Sequence, residues 1–257
     1  MNQEHPPTIL DYGYESVRLP GQLESGDLHF VMGTSTGGLV GVVDGLGHGA
    51  EAATAAQLAI KTIEAYAEES VITIVKKCDE KLRKTRGAVM ALASINTFDE
   101  TVTLLSIGNV EGMLVRIDPS ANPAYENIIT RPGVVGYRLP PPIASVFSIS
   151  RGDYLIFCTD GIREDFSSPV SRNVRYAEDV LEKLTDSQIV NLSKGKPVEK
   201  PSIAAHEYAI ANEIDLSFVA GGKDSYSPKN LASYISKKYI KGTDDALVLV
   251  AKYRGRA

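Results

Sequence analysis

The chain has 257 residues, 43% of them hydrophobic and 23% charged, with a net charge of −5 and a pI near 5.5. That composition is too apolar for a disordered chain and carries no basic footprint for nucleic acid or anionic membrane. Two cysteines, Cys78 and Cys158, cannot build a disulfide framework. With no basic, apolar leader at Met1–Pro7 and no apolar run of bilayer length, a soluble cytoplasmic protein is the expectation.

In chain order, Ile9 to Leu19 reads as a strand closed by Pro20-Gly21, and Leu28 to Met32 as a second strand. Gly33 to Gly38 is a glycine-rich turn. Leu39 to Val43 is a strand apolar enough to be buried on both faces, and it runs directly into Asp44-Gly-Leu-Gly-His-Gly49. Ala52, Ala56, Ala59, Ile63 and Tyr66 share one face of a helix expected from Glu51 to Glu68. Ser70 is an N-cap for a second helix with a stripe of Val71, Val75, Cys78 and Leu82. Lys81, Arg83, Lys84 and Arg86 are read as its last turn and Gly87 as its stop.

Strands then dominate. Ala88 to Phe98 and Thr101 to Gly108 form a hairpin about Asp99-Glu100, followed by Met113 to Ile117, a proline-rich loop from Pro119 to Pro142, and strands at Ser145 to Ile149 and Tyr154 to Cys158. Helices are expected at Ala177 to Leu184, Ser202 to Glu213 and Pro228 to Tyr239, and a closing strand at Leu247 to Tyr253. Strands, then two helices, then strands again do not alternate as in a Rossmann sheet. An antiparallel α+β or layered α/β architecture is preferred. The 166–241 segment is expected to be a helical insertion or flap within one domain spanning 1–257.

Four aspartate positions stand at ends of core strands beside glycine or another aspartate: Asp27, Asp44, Asp160 and the pair Asp244-Asp245. Singly, Asp-Gly after a strand is an ordinary turn. If the four converge, their carboxylates repel: two charges 4 Å apart cost about 4 kcal/mol at an effective dielectric of about 20. Divalent cations remove that cost, and oxygen-only ligands suit Mg²⁺ or Mn²⁺ rather than Zn²⁺.

Asp44-Gly-Leu-Gly-His-Gly-Ala-Glu-Ala-Ala53 resembles the Asp-Gly motif of the PPM family of metal-dependent protein serine/threonine phosphatases, in the bacterial branch that contains the SpoIIE and RsbX phosphatases. The likeness continues in family order through Ser25-Gly-Asp27, Arg86-Gly-Ala88, Ile107-Gly-Asn-Val110, Thr159-Asp-Gly161 and Thr243-Asp-Asp245, over residues 20 to 165 and the last fifteen or so. The resemblance implies a central antiparallel β-sandwich flanked by helices on both faces. It implies two Mn²⁺ or Mg²⁺ ions at one end of that sandwich and in-line attack of water on phosphoserine or phosphothreonine. Asp44 would bridge both ions with the Gly45 carbonyl beside it, Asp160 and Asp244 would hold the second, and Asp27 would act directly or through water. Asp245 stands where many relatives have asparagine, so the choice within Asp244-Asp245 stays open. The substrates it implies are phosphorylated STAS-domain proteins of a stressosome or similar partner-switching system.

The 166–241 segment is longer than in compact bacterial members and reads as a flap, a site cover or a docking element. No arginine matches the phosphate-binding arginine of the eukaryotic enzymes, leaving Arg18 and Arg163 as candidates. His48 lies next to the site and could act as a general acid, or simply shape the loop. His5, His29 and His206 lack partners at ligand spacing. Gly33-Thr-Ser35-Thr-Gly37 matches a nucleophile elbow, but a strand follows where the elbow needs a helix, so Ser35 is placed in a hairpin turn. Cys158 and Arg163 are too close in sequence for a cysteine-phosphatase loop. A rival of another class is a catalytically silent docking module, whose sign would be loss of the motif aspartates.

Overall fold

The computed structural model describes residues 9–118, 120–180, 214–215, 218 and 226–256. In chain order the elements are β1 (Leu10–Val17), β2 (Asp27–Thr34), β3 (Gly37–Gly45), α1 (Ala50–Ala65), α2 (Val71–Leu82), β4 (Ala88–Asn96), β5 (Thr101–Ile107), β6 (Glu111–Val115), β7 (Tyr125–Asn127), β8 (Thr130–Arg131), β9 (Ser145–Ser148), β10 (Tyr154–Cys158), α3 (Ser167–Val180), α4 (Pro228–Tyr239) and β11 (Ala246–Tyr253).

The strands form two sheets. One has the order β1-β11-β10-β6-β7; the other runs β2-β3-β4-β5, with short β8 and β9 both on β5. All pairings are antiparallel except β5 with β8. Side chains alternate across each strand, and the apolar run of β3 is explained by that alternation. Val40 and Val42 point into the layer between the sheets, where they join Leu104, Leu114, Leu155, Phe157 and Leu249. Leu39 and Val43 point outward to the alanine face of α1 and the Val71, Val75, Cys78 and Leu82 stripe of α2. The far sheet is likewise covered: Ile156, Val248 and Val250 pack under Val170, Val174 and Ala177 of α3 and Leu231, Ile235 and Tyr239 of α4. The result is the α-β-β-α layering expected from the resemblance.

Ser70 caps α2 by accepting from the Thr73 N–H at 3.2 Å. The helix stops at Leu82 rather than running to Gly87, so only Lys81 of the four cations lies in its last turn. α3 begins ten residues before the expected Ala177. Its stripe of Val170, Val174 and Ala177 is diluted by serines, arginine and asparagine, and those polar residues hid the period. The helix expected at Ser202 to Glu213 lies outside the described residues. The described ends of the 166–241 segment, α3 and α4, supply the outer helical layer of the β1-β11-β10 sheet.

Candidate active site

β2 and β3 pair so that Asp27 stands directly opposite Asp44, the first residue of one strand against the penultimate residue of the other. Asp160 follows the end of β10 by two residues and Asp244 precedes β11 by two, and these two strands are neighbours. Both sheets therefore deliver their aspartates to one end of the sandwich. One bond stitches the sheets together there: Thr159 Oγ1 donates to Asp27 Oδ2 at 2.6 Å, and within its own sheet the Leu247 N–H donates to the same hydroxyl at 2.8 Å.

The Asp44 loop is closely fitted. Gly45 is buried, its N–H donates to the Gly26 carbonyl at 3.0 Å, and a Cβ there would overlap the carbonyl of Ala52. Glycine is what lets α1 begin against the loop. The Leu46 N–H then donates to the Gly87 carbonyl at 3.1 Å, tying the loop to the start of β4.

The electrostatics match the geometry. Burial raises the Asp44 carboxyl, and the Asp27, Asp160, Asp244 and Asp245 charges raise it further. Burial also raises Asp27, against the lowering bond from Thr159, and the other three carboxylates add to the rise. Asp160 is raised by burial and by Asp244, while Lys241 and the Asn109 side chain, whose Nδ2 donates to Asp160 Oδ2 at 2.6 Å, act the other way. These groups are held in a cluster that disfavours their own charge.

Asp245 is used differently from its neighbour. It is 3% exposed, and its two oxygens accept from the Leu19 N–H at 2.7 Å and the Gly26 N–H at 2.9 Å. Both oxygens are thus spent on the β1–β2 loop, whereas among the described residues Asp244 accepts from the N–H of Asp245 alone. Hydrogen bonds to a charged group are worth about 1.5–3 kcal/mol each. Asp245→Ala is therefore expected to cost about 3 kcal/mol or more in metal-free denaturant unfolding, and Asp244→Asn less than about 1 kcal/mol. Equal losses would mean that Asp245 is not the clamp.

The donor set suits a hard divalent cation. Every candidate ligand is a carboxylate or carbonyl oxygen, and the cluster is strained without positive charge. Among the described residues no three or more His, Cys, Asp or Glu side chains stand close enough together to hold a metal ion as placed.

The remaining candidates fall elsewhere. Ser35 sits in the β2–β3 turn at the opposite end of β3 from Asp44, and its Oγ donates to Glu68 Oε2 at 2.6 Å. No strand-to-helix elbow exists there. Cys158 is buried in β10, and burial pushes its thiol up, away from a reactive thiolate. Arg163 pairs with Asp165 and stacks over Tyr239, and Arg18 donates to the Leu23 carbonyl, so both are engaged locally. His48 is exposed on the loop between Gly47 and Gly49.

Comparison with known proteins decides the family. The family model described as stage II sporulation protein E, SpoIIE, matches residues 35–195, more than half of the chain. The chain belongs to the SpoIIE family. The match contains Asp44 and Asp160, while Asp27 and Asp244 lie outside it. A curated relative, the phosphoserine phosphatase RsbX of Bacillus subtilis, is 26% identical over 204 residues, covering 78% of this chain and 88% of that protein. A crystal structure of RsbX in complex with magnesium superposes with a TM-score of 0.66 at 17% identity, covering 98% of this chain and 100% of the other. A chain from work on the bacterial stressosome, described as a modular system adapted to control secondary messenger signaling, gives 0.66 at 22% identity over 95% of this chain and 99% of its own. These structural likenesses establish the shared fold of this SpoIIE-family chain.

Thr159 and Asn109 are site residues that the sequence left without a role, and for Asp245 it left the choice with Asp244 open. Each lies inside a quoted motif, but its role depends on a partner more than fifty residues away.

Proposed function

We propose that this SpoIIE-family chain is a divalent-metal-dependent protein phosphatase acting on phosphoserine or phosphothreonine. Asp44 and the Gly45 carbonyl, Asp160, Asp244 and Asp27, directly or through water, would hold Mn²⁺ or Mg²⁺. The observation that carries this reading is the convergence of aspartates from both sheets at one end of the fold, where the carboxyls of Asp27, Asp44 and Asp160 are raised by burial and by their neighbours' charges. When bound, such ions neutralise phosphoryl oxygens and acidify water near neutral pH.

The chain's own residues do the rest. Thr159 orients Asp27 through its hydroxyl. Asn109 fixes one oxygen of Asp160 and leaves the other available. Asp245 anchors the loop that carries Ser25-Gly-Asp27. Preorganised oxygens lower the reorganisation needed when a phosphate arrives.

By analogy with the phosphoserine phosphatase RsbX and the stressosome relative, the substrates are phosphorylated STAS-domain proteins of a partner-switching system. The setting proposed is the cytoplasm. Among the described residues, no helix is long and apolar enough to cross a membrane. The test is Mn²⁺-dependent hydrolysis of para-nitrophenyl phosphate before and after chelation, followed by phosphate loss from phosphorylated STAS proteins read by mass spectrometry. Turnover that survives chelation would overturn the metal mechanism. No turnover with Mn²⁺ would favour the silent docking module.

A further inference from the structure

Residues Lys81 to Arg86 carry four cations in six positions of a chain whose net charge is −5. A helix C-terminus attracts cations only within its last turn. Since α2 stops at Leu82, Lys84 and Arg86 lie beyond that influence. Arg83 pairs back to Asp79. Lys84 and Arg86 instead line a cleft of about 290 Å³ with Glu51, Thr54 and Thr85, between the start of α1 and the α2–β4 turn.

The cleft is fastened to the proposed active site. Gly45 pairs with Ala88 across β3 and β4, and the Gly87 carbonyl accepts from Leu46. A Cβ on Gly47 would lie 2.5 Å from Arg86 Nη1, so the guanidinium rests against the Asp44 loop itself.

Arg86 pairs with Glu51, and both side chains are more than half exposed. Such pairs are worth little, about 0–1 kcal/mol, and exchange partners at small cost. Lys84 is exposed and has no ion-pair partner among the described residues. A guanidinium held by a weak partner and an unpaired ammonium beside it make a receptor for a carboxylate, while the Thr54 and Thr85 hydroxyls already donate to the Ala50 and Leu82 carbonyls.

We propose that this cleft binds an acidic side chain of the protein substrate, a few residues from its phosphoserine, with Arg86 passing from Glu51 to the incoming carboxylate. The proposal rests on the phosphatase reading for the phosphoserine but not for the docking itself. It makes the α2–β4 turn a specificity element that a small phosphate ester does not use.

The test compares two labelled phosphoserine peptides, one flanked by glutamates and one by alanines. Wild-type protein with Mn²⁺ should favour the acidic peptide in kcat/KM, and the preference should shrink at high salt. Lys84→Ala should lower kcat/KM for the acidic peptide by about fivefold, leaving the alanine peptide and para-nitrophenyl phosphate unchanged. Arg86→Ala should remove the preference, and Glu51→Gln, which frees Arg86, should strengthen it. The opposite signs at Glu51 and Arg86 separate docking from a structural ion pair, for which both variants would fall together. Fluorescence anisotropy of the same peptides in chelator, where turnover is absent, reads docking alone. If no variant changes the acidic-over-alanine ratio, or if Glu51→Gln and Arg86→Ala lower both peptides equally, the proposal is wrong. A protein inactive on para-nitrophenyl phosphate that still prefers the acidic peptide in anisotropy would sink the phosphatase reading and keep the docking cleft.

Discussion

Asp44→Ala is expected to lower Mn²⁺-dependent phosphatase activity by more than about 10³-fold while leaving the fold intact. The expectation follows from position. Asp44 closes β3 opposite Asp27, and four other carboxylates act on it. Removing it takes away the group proposed to touch both ions. The same change should raise the melting temperature of the metal-free protein, because it deletes a buried carboxyl whose charge the site resists. Activity within tenfold of wild type at saturating Mn²⁺ would rule out the bridging role. An unchanged circular-dichroism spectrum is the necessary control.

The second large effect is the dependence of stability on metal and pH together. Asp27, Asp44 and Asp160 are all raised above 3.8 in the folded protein. Above that ordinary value the native state holds more protons than the unfolded chain. Stability of the metal-free protein therefore falls as pH rises from about 4 towards each raised value. Cation binding reverses this trend, because it favours the ionised carboxylates and releases their protons. At a free metal concentration 100 times Kd, one site adds about 2.7 kcal/mol. For a chain of this size that is about 5–10 °C in melting temperature. The gain from Mn²⁺ should be larger at pH 8 than at pH 5, and much smaller in Asp44→Ala. A gain independent of pH, or equal in both proteins, would place the cation elsewhere.

Much of this architecture was readable from local pattern. The Leu39 to Val43 run gave a strand buried on both faces because β3 has a sandwich interior on one side and α1 on the other. Ser70 and Pro228 marked helix starts by capping chemistry and fixed backbone geometry, and both stand where α2 and α4 begin. The short strands β7 and β8 were not readable in the proline-rich stretch, because three- and two-residue strands carry no period. The four aspartate positions were legible as a family motif, and the structure brings them to one end of the sandwich. The division of labour between Asp244 and Asp245 was not legible. It depends on which carboxylate meets the amides of Leu19 and Gly26, and that is settled by three-dimensional register rather than by neighbours in sequence.

The pairing of β1 with β11 has a consequence for how the protein is made. Among the described residues β11 is the one sheet neighbour of β1, and Asp245 reaches across 226 positions to hold Leu19. A chain emerging from the ribosome can assemble β2 through β5 from hairpins as it appears. β1, however, must wait until β11 is translated to form its described pairing. The carboxylate cluster needs the same late segment, since Asp244 lies just before β11. A nascent chain therefore has no complete carboxylate cluster until translation has passed β11.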